Sequence, residues 1–156
     1  MRRTAVADLL AAFVVVGVLV FLLLRLTYDS VPPLQYPIVI PIAALGVAEL
    51  VAARRVRGAV RHEPDAKPMA AIVIARCVAL GKASALVGAA VAGGAAAVIV
   101  KVAPSARTVR IAGNDLRVAI ALLTAAALIT VAGLLLERAG VDPGNTAEQL
   151  RHEVEQ

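Results

Sequence analysis

Four long apolar stretches constrain the fold of this chain more than any other feature of its sequence. They cover residues 9–28, 34–53, 80–100 and 118–136. Each is close to the ~20 residues that a helix needs to cross a hydrocarbon core about 30 Å thick. They also explain why 60% of the chain is hydrophobic while 17% is charged. We therefore predict an all-α integral membrane protein, with four transmembrane helices in an up-down bundle over residues 1–138 and a soluble cytoplasmic tail over residues 139–156.

The first apolar stretch resembles a signal peptide because Arg2 and Arg3 precede it. It is at the long end for such a peptide, however, and no small-residue cleavage site follows it. We interpret it as an uncleaved signal anchor, which makes it the first transmembrane helix.

Basic residues between the stretches predict the orientation. With both termini inside, nine basic residues of the termini and of segment 54–68 face the cytoplasm, and five face the outside. Cytoplasmic loops of membrane proteins carry an excess of Lys and Arg. This rule also explains the basic composition, so nucleic-acid binding is not needed to explain it. The chain has no nucleic-acid-binding motif and no aromatic residues interleaved with its basic ones. We expect a multi-pass protein of the plasma membrane with both termini cytoplasmic, the lipid bilayer as a partner and no nucleic acid.

The third stretch belongs to a longer helix that begins well before it. From Met69 to Val100 the sequence has no Pro, and its first Gly is Gly81. At 1.5 Å per residue this segment would be ~48 Å long, so one end must project beyond the ~30 Å core. Lys82 would then lie at the inner boundary of the core. Arg76 would lie ~9 Å further out, among the headgroups, as an interfacial anchor.

Glu49 lies within the second predicted span, ~7 Å from its inner end. An acid inside the bilayer is a functional candidate whose partner has to be identified. Lys82 has nearly the same depth and a long side chain, so we predict an intramembrane Glu49–Lys82 ion pair. The simpler interpretation is a structural pair that locks two helices, and the alternative is a proton or cation site. Glu137, at the end of the fourth span, is interpreted as a boundary charge.

Small residues recur every four positions along the third helix. They form two ridges, and small-xxx-small ridges let helix backbones approach closely in lipid. We expect this helix at the centre of the bundle or in an oligomer interface, although an Ala-rich composition also produces such spacings by chance. The expected helix-packing residues are Gly81, Ser84, Ala85, Gly88, Ala92 and Gly93.

Motifs of catalytic and metal chemistry are missing from the sequence. It has no P-loop, no G-x-S-x-G and no H-E-x-x-H. His62 and His152 stand alone in polar segments, and the single Cys77 forms neither a disulfide nor a metal cluster by itself. We expect a protein that is not an enzyme, with no cofactor, no metal and no catalytic residue.

Three segments, "RLTYDSVPPLQ", "GVAELVAARRVR" and "ARCVALGKASALVGA", carry a resemblance to a known family. Together they are similar to the actinobacterial membrane-protein family catalogued as domain of unknown function 3180. The most specific pieces are the tandem Pro32 and Pro33, Glu49 in "VAE", and the segment from Arg76 to Ser84. The resemblance implies a small four-helix membrane protein and supplies no established activity.

Two functions remain open from the sequence. The first is a non-enzymatic subunit or scaffold of a membrane or cell-envelope assembly, joined to other membrane proteins or to itself through the third helix. The second is a small proton- or cation-coupled transporter that uses Glu49. Four helices with an intramembrane Glu resemble the small multidrug-resistance architecture, but here the Glu is on the second helix, near its end. We favour the first function.

Overall fold

The computed structural model describes residues 5–27, 34–61 and 69–140, and this part of the chain contains four α-helices and no strand. The helices are α1 (Val6–Thr27), α2 (Val39–Val60), α3 (Ala71–Val102) and α4 (Arg110–Ala139). A single 3₁₀ turn, Tyr36–Ile38, leads into α2. All four helices are long and apolar enough to cross a membrane. The predicted all-α class is confirmed, with four helices that are candidates for membrane spans.

Three of the helices extend further than the apolar stretches that predicted them. Helix α2 continues seven residues beyond Ala53, so Arg54, Arg55 and Arg57 lie on the helix and not in a loop. Helix α3 is continuous over 32 residues, as its Pro-free sequence predicted. Arg is a good helix former, and hydropathy alone does not detect a helix that continues into polar surroundings. The predicted tail lies outside the described residues from position 141 onward.

The helices pack in the order α1–α3–α4–α2. Helix α3 packs against α1 on one side and α4 on the other, and α2 packs mainly against α4. Helices α2 and α3 meet at only a few residues. The chain order therefore differs from the spatial order, because α2 lies at one edge of the row and α1 at the other.

Alanine and glycine are the most frequent buried residues of α3 and α4. The buried apolar residues of α3 before its last turn are all Ala, and those of α4 include Ala112, Ala119, Ala125, Ala126 and Ala132. Lipid tails are as apolar as leucine, so association of helices in a bilayer depends on close van der Waals contact. Small side chains allow that contact along the whole length of this pair.

Backbone meets backbone where α3 crosses α4. A Cβ atom at Gly133 would lie 2.5 Å from the carbonyl oxygen of Gly81 and 2.8 Å from the amide nitrogen of Ala85. A Cβ atom at Gly81 would lie 2.6 Å from the carbonyl oxygen of Gly133. Cβ atoms essentially never come within 3.0 Å of another heavy atom. Only glycine fits at these two positions without a shift of one helix.

A second close contact joins α3 to α1. A Cβ atom at Gly93 would collide with the carbonyl oxygen of Phe13, and one at Gly17 would lie 3.1 Å from the carbonyl oxygen of Gly93. The next residue, Gly94, has room, since its Cβ would lie 3.6 Å from the nearest atom, Cγ2 of Val20. Helix α3 therefore uses different glycines to contact its two neighbours.

Two hydrogen bonds tie the start of the α2 segment to the first turns of α4. The backbone N–H of Leu34 donates to Oδ1 of Asp115 at 2.9 Å, and Nδ2 of Asn114 donates to the carbonyl oxygen of Leu34 at 3.0 Å. Asp115 is buried. Leu34 precedes α2, so its backbone N–H and C=O groups have no partner within a helix. The side chains of Asp115 and Asn114 satisfy these two groups, and a buried backbone polar group without a hydrogen bond is costly.

Alanine substitution at the adjacent glycines Gly93 and Gly94 tests the α1–α3 contact. We predict that Gly93→Ala lowers the free energy of unfolding in lipid or mild detergent by about 1–3 kcal/mol, because overpacking against a rigid backbone forces helices apart. Gly94→Ala, with the same change in volume and helix propensity, should leave it nearly unchanged. Thermal unfolding followed by circular dichroism measures both. Equal effects of the two substitutions would show that the helices do not approach at Gly93.

Candidate functional site

Glu49 is the most unusual polar residue of the described chain. It lies in the middle of α2, and its side chain is 2% exposed. Neither carboxylate oxygen has a hydrogen-bonding partner among the described residues. Burial of a charged carboxylate without a partner is costly. Glu49 is therefore the candidate functional group of the described chain.

The helix register places Glu49 level with the smallest residues of α4. Gly46, one turn earlier on α2, packs against Leu128 and Ile129, and Ala53, one turn later, shares a core cluster with Leu136. Counting along both helices puts Glu49 beside Ala132. Ala132 is fully buried, and Gly133 follows it. Helix α4 therefore has only small side chains at this level.

Ser84, a buried residue of α3, lies close to the same place. Its neighbour Ala85 contacts Gly133, so Ser84 and Glu49 lie at one level of the protein. The buried Ser84 hydroxyl lies near the Glu49 carboxyl group, although neither carboxyl oxygen is in hydrogen-bonding geometry. The candidate site thus combines side chains from the two helices that flank α4.

Lys82, the predicted partner of Glu49, is not hydrogen-bonded to it. Lys82 is half-buried and has a polar or electrostatic partner, as does the buried Glu137 of α4. A Cβ atom at Gly81 would lie 2.9 Å from the backbone nitrogen of Glu137. The backbone of Glu137 therefore lies beside Gly81, the residue that precedes Lys82. The sequence predicted a boundary charge at Glu137 and placed Lys82 at the inner boundary of the core, and the two residues lie at a similar depth.

The expected helix-packing residues all lie among the buried positions of α3. Three of them face α4, since Gly81 and Ala85 contact Gly133 and Gly88 lies against Thr130. Gly93 faces α1 instead. The predicted ridge that contains Gly81, Ala85 and Gly93 therefore contacts α4 near its start and α1 further along. Arg76 is exposed in the first third of α3, and its role as an interfacial anchor stays a prediction.

Metal ligands do not come together in the described part of the chain. Within residues 5–27, 34–61 and 69–140, no group of three His, Cys, Asp or Glu side chains could hold an ion. Cys77 is a free thiol and half-buried. The chemistry of the described site is therefore that of one buried carboxyl group and one hydroxyl group.

Double-mutant cycles identify the partner of Lys82. We predict that Lys82→Met and Glu137→Gln are coupled by about 0.5–3 kcal/mol in the free energy of unfolding, as expected for residues in contact. The matched cycle with Glu49→Gln should give a smaller coupling, because Glu49 has no hydrogen bond to Lys82. Thermal or chemical unfolding in detergent or lipid measures both cycles. A larger coupling with Glu49 would restore the Glu49–Lys82 pair predicted from the sequence.

Comparison with known proteins places the chain in a family. Residues 9–143 match the model of a family described as "Protein of unknown function (DUF3180)". No curated protein and no solved structure matches the chain. The resemblance carried by the three sequence segments is thereby confirmed. Since the match extends over most of the 156 residues, the chain belongs to the DUF3180 family.

Proposed function

We propose that this protein is a non-enzymatic subunit or scaffold of a membrane or cell-envelope assembly, with other membrane proteins or a second copy of itself as its partner. The observation that carries the proposal is the open order of the helices. Helices α1 and α2 each have one main neighbour within the chain. In a bundle that closes on itself, each helix would have two. The row therefore leaves two helix flanks available for lateral contacts.

Helix α1 has the more extensive free flank. Leu24 is its one buried residue, and Val15, Leu19 and Leu26 are each more than half exposed. The glycine that contacts α3 lies on the opposite side of this helix. Lipid tails cover such an apolar flank as well as a protein does. Cross-linking in native membranes is therefore the measurement that distinguishes a protein partner from lipid on this flank.

The proposed location is the plasma membrane of an actinobacterium, with both termini in the cytoplasm. The support is the excess of basic residues on that side, nine against five. The inner ends of α2 and α4 carry a large share of them. A role inside a polytopic assembly agrees with this placement, because the long α3 would project its basic first turns toward the cytoplasm.

Site-specific photo-cross-linking tests the proposal. A photoreactive residue at Leu19, on the free flank of α1, should yield a discrete covalent product with another membrane protein or with a second copy of the chain. The same residue at Val47, exposed on α2, tests the other edge, and at the buried Leu24 it serves as the matched control. Denaturing gels and mass spectrometry of the products give the readout. Lipid adducts alone at both edges would contradict a role as a subunit.

The buried carboxyl group favours a second candidate function, a small proton- or cation-coupled transporter. Glu49 lies in a dry part of the helix row without a hydrogen-bonding partner among the described residues, which is where a coupling site would lie. Purified protein in vesicles with a pH-sensitive dye distinguishes this function from the first. Proton flux that Glu49→Gln abolishes and Ser84→Ala alters would support the transporter function. The absence of proton flux in wild type would support the subunit or scaffold function instead.

A further inference from the structure

A cavity of about 470 Å³ lies between the ends of α2 and α4. Four arginines line it: Arg54, Arg57 and Arg61 from the end of α2, and Arg138 from the end of α4. No acidic residue is among the lining residues of this cavity in the described chain. Glu49 and Lys82, the residues of the candidate site, do not line it either. The cavity is therefore a separate feature of the molecule.

The arginines of α2 converge because of helical spacing. Positions 54, 57 and 61 are three and four residues apart, so they share one face of the helix. Like charges at such spacings repel one another, and Arg138 adds a fourth charge from the neighbouring helix. Attraction to the helix C-termini explains one basic residue in the last turn of each helix. It does not explain why four arginines line one cavity, an arrangement that a bound anion would stabilise.

The wall of the cavity that leads toward the membrane is apolar. Leu50 lies one turn before Arg54 on α2, and Leu135 lies three residues before Arg138 on α4, and both line the cavity. A ligand that fills it must present negative charge to the arginines and hydrocarbon to the leucines. A free phosphate ion would leave the leucine wall uncovered. A phospholipid meets both requirements, because its phosphate is joined to acyl chains.

We propose that this cavity binds the phosphate group of an anionic phospholipid of the bilayer, with its acyl chains along Leu50 and Leu135. The planar guanidinium group binds phosphate through two parallel hydrogen bonds, a geometry that lysine lacks. Basic pockets between transmembrane helices at the cytoplasmic surface suit such headgroups. The lipid would fill the space between the ends of α2 and α4 and hold the edge helix α2 in place.

Titration of the full-length protein with phosphatidylglycerol tests the proposal. The protein is placed in nanodiscs of phosphatidylcholine that contain increasing fractions of phosphatidylglycerol, and the melting temperature and the lipid adducts in native mass spectra are recorded. Wild type should be stabilised and should retain the anionic lipid selectively. The triple variant Arg54→Gln/Arg57→Gln/Arg138→Gln should bind it more weakly, on the order of tenfold.

The matched control removes three exposed arginines outside the cavity, Arg55→Gln/Arg107→Gln/Arg110→Gln. It changes the net charge equally and should reduce binding less than about twofold, since surface charge alone is largely screened. Equal losses in the two triple variants would overturn the proposal. If the cavity variant does not fold, as judged by circular dichroism, the single variant Arg57→Lys replaces it. That variant keeps the charge, loses the planar fork and should still lose part of the selectivity.

Inorganic phosphate distinguishes the lipid from a free anion. Millimolar phosphate added to wild type in pure phosphatidylcholine nanodiscs should not change the melting temperature. A rise in melting temperature equal to that caused by phosphatidylglycerol would assign the site to a soluble anion and would overturn the proposal of a bound phospholipid. A wild type that does not respond to phosphatidylglycerol would also overturn it.

Discussion

Backbone contact between α3 and its two neighbours is the interaction on which the rest of this structure depends. In lipid there is no hydrophobic gain from burying one apolar helix against another, so the helices must gain contact area at short range. The pair Gly81–Gly133 supplies that contact toward α4, and Gly93 with Gly17 supplies it toward α1. Because α3 uses separate glycines for each side, it holds both neighbours at once. The order α1–α3–α4 within the row follows from this.

The position of the candidate site is a consequence of the same packing. Small residues at Ala132 and Gly133 make α4 thin at the level of Glu49, and they leave the carboxyl group of α2 within reach of Ser84 on α3. Without the close approach of α3 to α4, these two side chains would be separated by a full helix diameter of about 10 Å. The site is thus a product of glycine and alanine packing as much as of its polar residues.

The sequence predicts the elements of this fold better than their arrangement. Span length and hydropathy identified the four helices, and the absence of Pro from Met69 to Val100 predicted one long α3, because both properties are local. The neighbours of each helix depend on how surfaces fit, which no local pattern determines. Depth predicted Lys82 as the partner of Glu49, and that pair stays a prediction, but depth does not reveal that α2 packs mainly against α4. The hydrogen bond from Leu34 to Asp115 involves a backbone donor and leaves no signal in the sequence.

Disulfide cross-linking of engineered cysteine pairs tests the helix order most directly. In a Cys77→Ala background, Val20→Cys/Gly94→Cys joins α1 to α3, since Cβ at Gly94 would lie 3.6 Å from Cγ2 of Val20. Gly46→Cys/Leu128→Cys joins α2 to α4, since the corresponding distance is 3.2 Å. Mass spectrometry after mild oxidation in membranes should find both disulfides and none in Val20→Cys/Gly46→Cys, which pairs the two edge helices. An intramolecular disulfide in that third variant, with none in the first two, would contradict the α1–α3–α4–α2 row.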